Sequence, residues 1–179
     1  SYGECESLET TSMLNSINQT LEQANAQGQT EVNAAGDSGA TDCDVDGLAS
    51  EGLAVDFPGS SPYATSAGGT MFSGDVSNPS AYWNTSNTTN GTNQYTSSVK
   101  SYIPESPWNE TNATTGLTAG GSGGGGASAF FTKPAWQQGT GVPTDGSRDV
   151  PDYSLNSGAI HDGYIVCSYY DTTDCTSGF

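Results

Sequence analysis

Apolar residues in the first thirty positions recur at helical spacing. Met13, Leu14, Ile17, Leu21 and Ala24 fall on one face, with Asn, Gln and Glu between them. That pattern predicts an amphipathic helix from about Thr10 to Ala26, stopped by Gly28. Ser1-Tyr2-Gly3 before it and the run Glu31–Ala35 after it predict a strand–helix–strand unit, hence a right-handed crossover and a parallel sheet. A second apolar run, Gly52 to Phe57, leads into Pro58 and a turn. From about Phe72 to Ser128 the pattern dissolves into Asn, Thr, Ser and Gly, and Gly120 to Gly126 is nearly pure glycine. Composition alone reads that run as a flexible linker. The alternative is an ordered glycine strand where another backbone approaches closely. Further on, His161-Asp162-Gly163 predicts a turn before a strand Tyr164–Cys167, and no periodic repeat is present.

Length and charge narrow the class. The chain has 179 residues, enough for one domain with a real core. Its 20 acids against 3 bases give a formal charge of −17. Such a charge repels nucleic acid and anionic membrane, which argues against both as partners. It strains the folded state near neutrality and relaxes as carboxylates protonate. Charged residues are only 13% of the chain, however, and 3 Trp, 9 Tyr and 5 Phe supply anchors that a disordered acidic tail lacks. The picture is an extracellular β-rich or α/β protein with long polar loops.

The 4 cysteines, at positions 5, 43, 167 and 175, have no C-x-x-C spacing and so do not suggest a zinc knuckle. Two disulfides in an oxidising compartment are expected. The favoured pairing is Cys5–Cys43 with Cys167–Cys175, although the sequence does not choose among the three pairings. Asn18, Asn84, Asn87, Asn90, Asn109 and Asn112 each head an N-x-[ST] sequon, a mild mark of a secreted surface. With no signal peptide or membrane-length apolar stretch, the abrupt opening on Ser-Tyr-Gly is what a processed or excised piece would show if the protein is secreted.

Candidate chemistry centres on Ala35-Gly36-Asp37-Ser38-Gly39-Ala40, a tight acidic turn after an apolar run. Open α/β sheets place their chemistry at such strand ends. A chymotrypsin-like reading makes Ser38 the nucleophile. The sole histidine, His161, lies far downstream rather than upstream of it, and the G-x-S-x-G elbow of α/β-hydrolases is absent. A lone histidine is more often structural. Asp42, Asp44, Asp46 and Gly47 form the first half of a calcium loop. The position that should carry the bidentate glutamate is Leu53, and a solvated acidic turn is the plain alternative.

An ordered set of segments then carries a family resemblance. Phe57-Pro58-Gly59-Ser60-Ser61-Pro62-Tyr63-Ala64-Thr65-Ser66-Ala67-Gly68-Gly69-Thr70 resembles the sedolisin family of serine-carboxyl peptidases. So do Ser1-Tyr2-Gly3 with Glu6, the Gly36–Ala40 turn, Glu105-Ser106-Pro107-Trp108-Asn109, and the glycine run followed by Phe131, Lys133-Pro134 and Trp136-Gln137. Arg148-Asp149-Val150-Pro151-Asp152 with Ser154-Leu155, then His161-Asp162-Gly163-Tyr164, complete the match. The resemblance implies a subtilisin-like three-layer α/β fold with a mostly parallel sheet and long Gly/Asn/Thr-rich loops, incomplete at both ends. It also implies a secreted, acid-active endopeptidase acting on peptides or proteins.

In that family an aspartate occupies the oxyanion-hole place that asparagine holds in subtilisin, and Asp37 matches it. A protonated carboxyl can donate to a developing oxyanion, whereas an ionised one cannot. Ser1, Tyr2 and Gly3 match the strand that pairs with substrate. The glycine run, with Gly124 and Gly125, becomes an ordered segment near the cleft, against its compositional reading. The family's Glu/Asp helix precedes the Ser-Tyr-Gly strand, its Gly-Thr-Ser nucleophile motif and its calcium site lie further on, and none of these matches residues 1–179. The resulting expectation is a peptidase segment, inactive alone and completed by complementary fragments of the same enzyme, with calcium bound outside this chain. The alternative is a non-catalytic extracellular structural or binding protein derived from the family.

Overall fold

The computed structural model describes residues 3–44, 49–84, 88–89, 95–96, 99–111, 118–161 and 163–164. Twelve short strands occur among them: β1 (Glu4–Cys5), β2 (Val32–Ala34), β3 (Asp56–Phe57), β4 (Thr65–Phe72), β5 (Thr88–Thr89), β6 (Tyr95–Thr96), β7 (Glu105–Pro107), β8 (Asn109–Thr111), β9 (Thr118–Ser122), β10 (Gly126–Thr132), β11 (Ser147–Val150) and β12 (Tyr153–Asn156). They accompany a long helix, α1 (Thr11–Ala26), a one-turn helix, α2 (Pro79–Tyr82), and a 3-10 turn at Glu6–Leu8. None of the described helices is long and apolar enough to cross a membrane.

Helix α1 lies where its periodicity places it. Thr10 caps its start, its side chain accepting the Met13 N–H at 3.2 Å. At the other end Gly28 adopts a positive φ of 77°, and the amides of Gly28 and Gln29 turn back to the carbonyls of Asn25 and Ala24. Leu14 and Leu21 are buried, while Met13 stays exposed. Leu14 and Ile17 pack against a pair of phenylalanines, Phe57 of β3 and Phe131 of β10, stacked at 5.9 Å, with Phe130 edge-on to Phe131 at 4.8 Å. Fully burying each such side chain stabilises the fold by about 1.5–3 kcal/mol.

The main sheet is centred on β4. It pairs in parallel with β12 on one side (Tyr153↔Ala67 to Asn156↔Thr70) and with β2 on the other (Val32↔Thr65 to Ala34↔Ala67). Its far end, Thr70 to Phe72, pairs antiparallel with β7. The remaining pairs, β1–β3, β5–β6, β8–β9 and β10–β11, are antiparallel ribbons. An α/β fold with a mainly parallel sheet is therefore present.

One expectation needs correction. Among the described residues the segment before α1 does not pair in parallel with β2: β1 pairs antiparallel with β3 (Glu4↔Phe57, Cys5↔Asp56), and β2 takes β4 as its partner. The reason lies in what anchors that segment. Cys5 is disulfide-bonded to Cys43 with Cα atoms 5.0 Å apart, and buried Glu6 accepts hydrogen bonds from Ser128 Oγ and from the amides of Ala129 and Phe130 in β10. These tethers draw the chain to the β3–β10 side. The glycine run is the ordered segment that the family resemblance implies, against its compositional reading as a linker. It contributes the end of β9, a bridge across 123–125, and the start of β10. Ser1, Tyr2, Asp46, Asp162, Cys167, Cys175, residues 165–167 of the strand expected over Tyr164–Cys167, and the sequon residues Asn87, Asn90 and Asn112 lie outside the described residues.

Arg148 and Asp152 brace the sheet at β4. The fully buried guanidinium donates to both Asp152 oxygens at 2.6 Å and to the carbonyls of Asp149 and Ala64, and it stacks 4.9 Å from the Trp136 ring. Asp152 in turn accepts the Ser66 amide of β4 at 2.8 Å.

Candidate active-site cleft

Strand β2 ends at Ala34, and the chain turns at once through Ala35, Gly36 and Asp37. The turn is pinned from both sides. On the sheet side the Ala35 amide donates to Ala67 at 2.9 Å. On the other side the glycine run lies against it: Gly124 N–H donates to Gly36 at 2.9 Å, Ser122 N–H to Asp37 at 2.8 Å, and Gly39 N–H back to Ser122 at 3.0 Å. A side chain at Gly124 would meet the Ala35 carbonyl and the Gly36 Cα, and one at Gly121 would meet the Trp108 ring at 2.5 Å. Close backbone approach is what the glycines are for. Gly36 itself has φ 105°, with Asp42 Oδ1 2.5 Å from where a Cβ would stand.

Asp37 is exposed at the mouth of a cleft of about 330 Å³ lined also by Gly3, Glu4, Ser38, Asp42 and Asp56. Gly3 and Asp37 are thus brought together. Gly124 lines a neighbouring cleft of about 340 Å³ with Gly69, Glu105 and Pro151, and stands directly behind the Asp37 turn. Gly125 packs on the Val150 carbonyl and Pro151.

The cleft is electrostatically one-sided. Burial, and then the Asp37 charge, pushes the Asp42 carboxyl above its usual range. Asp56 is pushed to about 7 by burial and then by Asp42, Asp37 and Glu4. Sequence reasoning missed Asp56, which sits between apolar Val55 and Phe57; an acid inside an otherwise apolar strand was the available signal.

Other sequence candidates have different occupations. Asp44 is buried and spent on its loop, accepting from Ser50 N–H, Ser50 Oγ and Glu51 N–H, which holds its carboxyl below the usual range. Asp42 faces the cleft instead, so the two do not converge. Among the described residues no group of three or more His, Cys, Asp or Glu is arranged to hold a metal. His161 contacts buried Asp75 at 3.1 Å and does not line the Ser38 cleft.

No protein-family model matches the chain. Individual relatives do. It is 32% identical over 163 residues to kumamolisin of Bacillus sp. (strain MN-32) and 31% identical over 151 residues to sedolisin of Pseudomonas sp. (strain 101). The structure matches that of Pseudomonas sedolisin, a serine-carboxyl proteinase complexed with two molecules of pseudo-iodotyrostatin, with a TM-score of 0.59 at 27% identity. The chain is a sedolisin-family relative. These matches cover 88%, 82% and 86% of it. It spans 23% and 21% of the length of the curated relatives and 36% of the sedolisin chain of known structure. The subtilisin-like α/β architecture expected of a sedolisin relative is the one observed.

Proposed function

We propose that this chain is the segment of a secreted, acid-acting serine-carboxyl endopeptidase that supplies the oxyanion-stabilising Asp37 and the substrate-pairing strand at Gly3. The nucleophilic serine and its carboxylate partners come from other parts of the same enzyme, and the isolated segment is inactive. The observation that carries this reading is the pinned turn: an aspartate held by backbone hydrogen bonds at the end of a parallel strand, facing the same cleft as Gly3, in a sedolisin-related chain.

Attack on a peptide carbonyl places negative charge on its oxygen. A neutral Asp37 carboxyl donates a hydrogen bond to that oxygen and stabilises it, while an ionised one repels it. Activity therefore requires acid. The backbone contacts from Ser122 and Gly124 fix where the donor stands, so little reorganisation is needed as charge develops. An extended peptide lying along Gly3 pairs with strand edges there, a β-augmentation mode, and partners of nucleic-acid or membrane type are disfavoured by the acidic surface.

The test is hydrolysis of unstructured peptides by the intact protein between pH 3 and pH 8, with the 179-residue segment assayed beside it. Cleavage confined to acid by the intact protein, and none by the segment, is expected. Cleavage by the segment alone would return attention to Ser38. Binding without cleavage by the intact protein would favour the non-catalytic alternative.

A further inference from the structure

The cleft beside Asp37 contains a carboxyl that the proposed chemistry leaves idle. Asp56 is only 6% exposed, and its Oδ1 has no hydrogen-bond partner among the described residues. Gly3 lies directly over it: a side chain at Gly3 would run into Asp56 Oδ1 and the Phe57 carbonyl. The backbone leading into β1 thus crosses the unpartnered oxygen of this carboxyl. The charged groups facing that carboxyl are Asp42 and Asp37 from the β2 turn and Glu4 from β1, all acidic.

No cation offsets them. The chain has 3 bases, and each is engaged elsewhere. Arg148 pairs with Asp152, Lys133 with Asp145 and Asp149, and Lys100 Nζ donates to the Ser80 carbonyl. A buried carboxylate with an unpartnered oxygen and no counter-charge is costly, whereas the neutral acid is tolerated.

We propose that Asp56 is a positioning residue that makes the β1 strand, and with it the Gly3 edge of the Asp37 cleft, dependent on acid. Protonated, it lets β1 lie over its carboxyl. Ionised, it adds a negative charge to the acidic cluster of Asp37, Asp42 and Glu4 under the strand and drives β1 from β3. Its consequence for catalysis rests on the peptidase reading, but the latch itself does not.

The sign follows from the shift. Burial and the neighbouring acids raise the folded-state value from 3.8 to about 7. Between those values the folded protein holds a proton that the unfolded chain has released. The stabilising contribution is full below about pH 4 and is lost as pH rises toward and through about 7.

The experiment is thermal unfolding of the intact protein and of Asp56→Asn from pH 3.5 to 8, with peptide hydrolysis measured in parallel. The two melting curves should converge near pH 4, and Asp56→Asn should melt several degrees higher at pH 7.5. Glu9→Gln, which removes one charge outside the cleft, should track the parent. If Asp56→Asn does not fold, Asp42→Asn takes its place and should likewise raise the melting temperature at pH 7.5 but not at pH 3.5. If the protein cleaves peptides, Asp56→Asn should also extend hydrolysis toward neutral pH. Parallel melting curves for parent and variant would overturn the latch even in an active peptidase. Converging curves in a protein that cleaves nothing would uphold the latch and sink the peptidase reading.

Discussion

Replacing Gly124 with alanine tests whether the glycine run really sets the position of Asp37. The new Cβ would stand 2.8 Å from the Ala35 carbonyl carbon and 2.9 Å from the Gly36 Cα, and nearer still to the Ala35 oxygen. Ordinary contact begins at about 3.4 Å, so these backbones must separate by at least 0.5 Å or so. The obstacle is backbone, with no side chain to rotate away. Ala35 is buried and tied to Ala67, and Gly36 accepts the Gly124 amide, so the displacement passes into the turn. Overpacking of this kind costs about 1–3 kcal/mol, with a drop in Tm of several degrees for a chain of this size. If it moves Asp37 by about an ångström, kcat falls by about 10²-fold. Gly141→Ala is the control. Its site is open and its φ is 91°, so only the backbone term of about 1–2 kcal/mol applies, with kcat unchanged. Differential scanning calorimetry and peptide hydrolysis on both variants read the two effects. A Gly124→Ala protein with unaltered Tm and kcat would refute the claim that the run packs behind the turn.

Two further substitutions probe the frame. Arg148→Met should destabilise by about 3–5 kcal/mol, because it strands the Asp152 carboxylate and removes the Ala64 contact; a change in denaturant midpoint worth under 0.5 kcal/mol would contradict that role. Breaking Cys5–Cys43 by paired Cys→Ser changes should cost about 4 kcal/mol, from release of a 38-residue loop, and should expose the 3–5 segment to proteolysis first. Native-like protease resistance there would show that Glu6 and the β3 pairing suffice.

Helix α1 was legible because everything that specifies it is local: the apolar stripe, the Thr10 cap and Gly28. The Asp37 turn was legible for a related reason, since the Gly-Asp-Ser-Gly letters and the short apolar run before them are contiguous. The order of residues 120–126 could not be read from composition. It arises from the amides of Ser122, Gly123 and Gly124 donating to Asp37, Trp108 and Gly36, partners that only the tertiary fold supplies. Family resemblance indicated it where the residue pattern did not. Strand pairing failed in the same way: Glu6 bonding to β10 across more than 120 residues overrides the local β-α-β pattern. Asp56 hid inside an apolar run, and its acidic neighbours come from positions 4, 37 and 42.

The central claim is that Asp37 donates to the oxyanion as a neutral acid. Its most direct test is kcat for peptide hydrolysis by the intact protein, Asp37→Ala and Asp37→Asn, at a pH where the parent is most active. Asp37→Ala should lose roughly 10²–10³ in kcat with little change in KM. Asp37→Asn, which keeps an N–H donor in place of the acid, should retain most of the activity. Turnover in Asp37→Ala equal to that of the parent would contradict the account.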